Sequence, residues 1–281
     1  MNRTFLMIAV LMSAGAVAQP QPRLAEIQRH YTEATNGIRI LPGQWRPHYP
    51  YEQIAWVRPP WGGNDYIWLD FPEAIFTDHG LIFLSHVNPS IVSEYPELPG
   101  VEWRTVEDGI AFERVLPNGV RFGGSVRKDG DAGVALHLYI ENGMAEPLRD
   151  ITLQTCAFLH GIKEFAKRTQ DNKFVHVRDK GWVPFEQARE QCPANGKYKL
   201  GWRSGPAAAD WPIMITRSSE AQRWAGMTWY TDTRSLVGNP DHPCMHADPF
   251  FPDLAPDERA DIYGKLLFFE GPLEDFTAFI R

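Results

Sequence analysis

The chain has 281 residues, 43% of them hydrophobic and 12% aromatic, and a formal net charge of −7. That is enough apolar matter for one large core, and the length suits a single all-β domain. An acidic chain without Lys/Arg clusters lacks the footprint that neutralises phosphates, which argues against nucleic acid as a partner.

In chain order, Arg3, the apolar run 5–12 and the small-x-small step Ala16-Val17-Ala18 read as a cleavable export signal over residues 1–18. The run is too short for a membrane span, which needs about 20 residues, and no later segment is apolar for longer. The expected product is periplasmic or secreted. Residues 19–281 read as one domain with an irregular N-terminal arm over 19–66. Pro, Gly and aromatics crowd 36–66, which excludes a regular helix and leaves a long loop or short edge strands.

Strand signals then follow at 66–71, 81–87, 101–106, 110–116, 120–123, 134–141, 151–159, 174–177, 182–185, 213–217, 224–230 and 265–269. They are rich in β-branched and aromatic residues and are punctuated by turns such as Pro117-Asn118-Gly119. Helical signals are confined to 162–169 and 185–191. Many short strands without interleaved helices predict an all-β fold, a large antiparallel β-sandwich with one or two short helices.

The densest polar segment, 239–254, holds Asp241, His242, His246, Asp248 and Asp253 among four prolines. Proline stiffens a chain, so the segment reads as a rigid loop presenting these groups. His246 suits a general acid/base with Asp248 as its orienting partner. Alternatively, His242, His246 and Asp248 form a ligand set for a divalent metal, or simply cap turns. His160, before Gly161, stands where a strand ends and is a further candidate. Ten tryptophans suggest a deep core or a stacking surface. Trp224 and Trp229 are expected in the core. Trp61 and Trp202, the latter beside Arg203, are expected to stack on and hydrogen-bond a sugar. Of the three cysteines, Cys192 and Cys244 sit beside prolines and are the preferred disulfide pair, with Cys156 a buried thiol. The chain carries no P-loop, G-x-G-x-x-G or G-x-S-x-G, so no nucleotide cofactor and no serine-hydrolase elbow are expected.

Two stretches carry a resemblance. The strand 134–140 leads into Glu141-Asn142-Gly143, then Pro147-Leu148 and the strand reaching Gln154-Thr155-Cys156. Later, Asp253 to Glu258 precedes Tyr263 to Glu270. This order resembles the galactose-mutarotase-like β-supersandwich, and also secreted bacterial β-sandwich proteins. The resemblance implies a supersandwich fold and carbohydrate activity. It places the family's His near Cys156 or His160, which departs from the family pattern, and implies an acid at Glu270. The resulting expectation is an exported protein acting on a sugar or glycan. His246 and Asp248 would work with Glu270 or His160 in epimerase, lyase or hydrolase chemistry. The alternative is a non-catalytic glycan-binding or envelope protein.

Overall fold

The computed structural model describes residues 37–43, 52–86, 93–95, 98–191, 196–202, 207–220, 222–239 and 241–280. All fall in one compact unit spanning 36–281. The export signal, Cys192 and Arg203 lie outside the described residues.

The strands run β1 (Arg39–Gly43), β2 (Ile54–Arg58), β3 (Ile67–Thr77), β4 (Gly80–Leu84), β5 (Arg104–Val106) and β6 (Gly109–Val115). Next come β7 (Arg121–Asp129), β8 (Gly133–Glu141), β9 (Thr152–Phe158), β10 (Lys173–Val177), β11 (Gly181–Pro184) and β12 (Tyr198–Leu200). The last six are β13 (Ala208–Ala209), β14 (Ile213–Arg217), β15 (Arg223–Thr228), β16 (Thr233–Gly238), β17 (Cys244–Pro249) and β18 (Arg259–Glu270). Two helices of about two turns, α1 (Phe185–Gln191) and α2 (Leu273–Phe279), and the 3-10 turns Lys163–Phe165 and Tyr230–Asp232 complete the described elements. None is long and apolar enough to cross a membrane.

The strands form two nine-stranded sheets. The first runs β1-β2-β3-β9-β17-β16-β12-β13, with β4 also on β3; the second runs β11-β10-β14-β15-β18-β8-β7-β6-β5. Among the described residues every strand pairing is antiparallel except β12 with β16. The chain is therefore an all-β sandwich, as its sequence predicts. Alternation explains the facing: Val134, Leu136, Leu138 and Ile140 of β8 all join the main core, while Ala135, His137 and Glu141 are only partly buried. The sheets meet through aromatics. Phe71 stacks on Trp229 at 6.0 Å and Phe83 meets Phe122 at 4.9 Å. The Trp229 Nε1–H donates to Thr155 Oγ1 across the core at 3.1 Å, so its burial leaves no orphaned donor.

The turn signals hold. Gly119 takes φ +94, and Asn118 Oδ1 accepts the Val120 N–H at 3.1 Å, an Asx turn of the kind these residues favour. Buried Asn142 donates to Glu146 O at 2.8 Å and Leu254 O at 3.1 Å, pinning the turn after β8 to the segment after β17.

Three expectations need correction. Within 239–254, Cys244–Pro249 is not a loop but strand β17, central in the first sheet. Its polar residues alternate with Met245 and Ala247, which point into the core, and flanking prolines hid that period of two. The helix at 162–169 shrinks to the 3-10 turn Lys163–Phe165. The strand at 101–106 shortens to Arg104–Val106.

Candidate functional site

The face of the first sheet that points away from the main core carries chemistry on three neighbouring strands. Register aligns Asp70 of β3 with Cys156 of β9, and Cys156 with His246 of β17. The next row is Trp68, Phe158 and Cys244. Period-two alternation brings Asp248 to the same face as His246 and Cys244. Between Asp70 and Ala74 the β3–β9 ladder slips by a bulge. Such bulges re-aim side chains, and here Asp70, Glu73 and His86 bring ligand-type atoms within 4.8 Å of one another.

Asp248, 2% exposed, is held by three donors. The Thr155 N–H reaches Oδ1 at 3.1 Å, His246 Nδ1 lies 3.3 Å from the same oxygen, and the Trp202 Nε1–H reaches Oδ2 at 2.7 Å. Trp202 stands perpendicular to His246 with ring centroids 5.1 Å apart and is itself 49% exposed. Glu73 Oε2 lies 3.9 Å from His246 Nδ1, and its other oxygen 3.8 Å from His86 Nε2. Beside Trp202 opens a cavity of about 490 Å³ whose walls include Gln154, Lys199, Arg234 and Asp248.

Burial opposes charging His246, but Cys156 and Asp248, by charge and by hydrogen bonds, hold its pKa well above 6.5. Cys156 is itself pushed well up by burial and by its contact with Cys244. Asp248 is the buried carboxylate that faces the imidazole at Nδ1. Cys156 and Cys244 place their Sγ atoms 2.8 Å apart, and both are buried free thiols. The structure thus gives Cys244 the neighbour Cys156, while the partner expected for it, Cys192, lies outside the described residues. Cys244, like Cys156, has its pKa raised chiefly by burial.

His242 is fixed by its neighbours. Asn239 Oδ1 accepts the Asp241 N–H at 2.8 Å, so Asn239 Nδ2 is the group facing His242 Nε2 at 3.0 Å. Nε2 must accept, so Nδ1 carries the hydrogen and donates it to Cys244 Sγ, 2.9 Å away. Burial and then the charge on His246 lower the His242 pKa, consistent with a neutral ring. Fully buried Lys173 is drawn down to about 8 by burial, with Cys244 and Asp171 opposing.

Of the residues expected from sequence, the structure brings together His246, Asp248 and Trp202. His160 is exposed; its ring meets Phe158 at 5.7 Å, and Phe158 meets His242 at 5.5 Å, so it stands at the edge of the same face. Glu270 does not join them. It ends β18 in the other sheet and pairs with Arg223 at 3.4 Å. Trp61 is not a free platform either: it packs on Phe165 and Phe268 at 6.1 and 5.5 Å, with Arg223 over its ring. Trp224 and Trp229 are core, at 4% and 0% exposure. Sequence reasoning missed Asp70 and Glu73, whose only local signal is Pro72 interrupting a strand pattern, and it read His86 as a structural residue. It also missed that Cys156 and Cys244 meet.

No protein-family profile matches the chain. No curated protein matches it either. Among solved structures, a galactose mutarotase-like protein from Clostridium acetobutylicum aligns at 8% identity over 84% of this chain and 99% of its own, with TM-score 0.44. A GalM/aldose epimerase homologue from C. elegans aligns at 10% identity over 80% and 94%, TM-score 0.40. A galactose 1-epimerase from Lactobacillus acidophilus aligns at 8% identity over 85% and 100%, TM-score 0.34. The resemblance is weak, and no residue role passes from these proteins to this chain.

Proposed function

We propose that the protein is an exported, carbohydrate-active enzyme that takes a sugar ring into the cavity beside Trp202 and moves a proton there. The observation that carries this reading is the Trp202–Asp248–His246 arrangement. A half-exposed indole is hydrogen-bonded through Nε1 to a buried carboxylate, and that carboxylate holds the proton on a buried imidazole. The indole offers an apolar face to a sugar's C–H groups, as mixed aromatic–polar pockets do. Gln154, Lys199 and Arg234 offer hydrogen bonds to its hydroxyls. His246 is the proton donor, and Glu73, 3.9 Å away, is the carboxylate positioned to accept one. A donor and an acceptor on one substrate are what epimerase, lyase and hydrolase chemistry share.

The test is a panel of mono- and oligosaccharides followed by NMR for anomeric exchange, new reducing ends or new unsaturation. Turnover by the wild type, lost in His246→Asn with the circular dichroism spectrum retained, supports the proposal. Absence of any product across the panel rejects it. A second reading, glycan binding without turnover, is favoured by one observation: His246 is 1% exposed beneath the half-exposed Trp202. Under that reading the wild type retains glycans that Trp202→Ala does not, and no product forms.

A further inference from the structure

We infer that Cys156, Cys244 and His246 form a binding site for a thiophilic metal ion of the zinc class. The inference rests on the same site as the preceding reading and refines it: with the ion bound, His246 is a ligand, and a water on the ion takes over as the proton donor.

The three residues bring ligand atoms within 4.8 Å of one another, all buried. They come from only two strands. His246 lies directly opposite Cys156, and Cys244 lies diagonally from it, one step along the same face of β17. This triangle sits on a sheet, where side-chain directions are fixed by the pleat. Two thiolates and an imidazole are the donor set that selects zinc-class ions over hard cations such as magnesium.

The surroundings point to a ligand independently of the triangle. A metal-bound histidine usually donates its other ring N–H to a carboxylate. His246 has that partner, with Nδ1 at 3.3 Å from Asp248 Oδ1, and Asp248 is anchored in turn by the Thr155 N–H and the Trp202 indole. Nε2 is then the nitrogen for the ion, which displaces its proton. On the other flank, the His242 Nδ1–H is directed at Cys244 Sγ, an orientation dictated by Asn239 and Asp241. Hydrogen bonds to sulfur are among the contacts that tune thiolate centres. His242 is thus a support of the site and not a ligand, which departs from the alternative set His242, His246 and Asp248 that the sequence offered.

The fit requires one adjustment. Zinc–sulfur bonds of about 2.3 Å at a tetrahedral angle separate two sulfurs by about 3.8 Å. The Sγ atoms at 2.8 Å must therefore part by roughly 1 Å, within reach of small side-chain rotations. A disulfide is the competing outcome. Diagonal neighbours in an antiparallel pair stand roughly 7–8 Å apart, whereas disulfides prefer Cα separations of about 4.4–6.8 Å. Three protein ligands leave the fourth position of a tetrahedral ion for a water or a substrate oxygen.

The experiment uses the whole protein purified from zinc-supplemented medium without chelator. Elemental analysis is expected to find one zinc per chain. After removal of zinc under reductant, added Co²⁺ is expected to give a thiolate-to-cobalt charge-transfer band with the intense visible bands of tetrahedral cobalt. Cys156→Ser/Cys244→Ser loses both signals. Asp248→Asn keeps the cobalt spectrum but weakens zinc affinity roughly 10–100-fold. Should the cysteine variant fail to fold, the wild type answers alone: zinc is expected to protect both thiols from alkylation, read by peptide mass spectrometry. A Cys156–Cys244 disulfide in zinc-free protein overturns the inference, as does a cobalt spectrum without thiolate bands. Turnover of a sugar by protein that binds no zinc removes this inference and leaves the proposed function. Stoichiometric zinc with no turnover does the reverse.

Discussion

Asp248→Asn probes the centre most directly in metal-free, reduced protein. The side chain is 2% exposed and accepts from three donors, Thr155 N and His246 Nδ1 on one oxygen and Trp202 Nε1 on the other. An amide cannot serve them all: whichever way it turns, its NH₂ faces at least one N–H. The substitution also strips the buried imidazolium of its counter-charge. Removing one partner of a buried ion pair costs about 3–5 kcal/mol. For a domain of this size that lowers Tm by roughly 6–20 °C, at about 2–4 °C per kcal/mol. The sign of the pH dependence follows from His246. Its folded pKa lies above the ordinary 6.5, so its contribution to stability is fully present below about pH 6.5 and is lost as pH rises through the folded value. Urea unfolding followed by tryptophan fluorescence, run at about pH 6 and at progressively higher pH, is expected to show a deficit that shrinks with pH. A deficit below about 1 kcal/mol at pH 6, or one independent of pH, refutes the claim that Asp248 holds a charged His246.

Further outcomes follow from the same geometry. Trp202→Ala removes a stacking surface worth about 0.5–1.5 kcal/mol beyond its area, so glycan affinity by calorimetry is expected to fall at least 2–10-fold; unchanged affinity removes Trp202 from the site. Trp229→Phe keeps the stack on Phe71 but abandons the Thr155 hydroxyl at 3.1 Å; chemical denaturation is expected to show a loss of about 1–3 kcal/mol, and a neutral result would mean the hydroxyl finds another partner. Glu270→Gln breaks only a partly exposed pair with Arg223, so stability changes by less than about 1 kcal/mol. Turnover is expected to be unchanged; a large loss would return Glu270 to the catalytic set.

The division between sequence and tertiary structure is clearest at β17. Local signals suffice where a strand and its turn are encoded together, as in β8 with Asn142-Gly143, because alternation and turn chemistry act over a few residues. They fail at Cys244–Pro249, where prolines and polar groups imitate a loop although Met245 and Ala247 carry the inward period. His246, Asp248 and Trp202 were legible as candidates by residue type alone. Their partners were not. Asp70, Glu73, Cys156 and Cys244 lie far apart in the chain and meet only because β3, β9 and β17 are neighbours in one register. A shift of one residue would turn each row to the opposite face. Residue type thus set which side chains can hold a proton, a thiol or an ion. Strand order and register, which depend on long-range pairing, decided which of them share one face, and sent Glu270 to the other sheet.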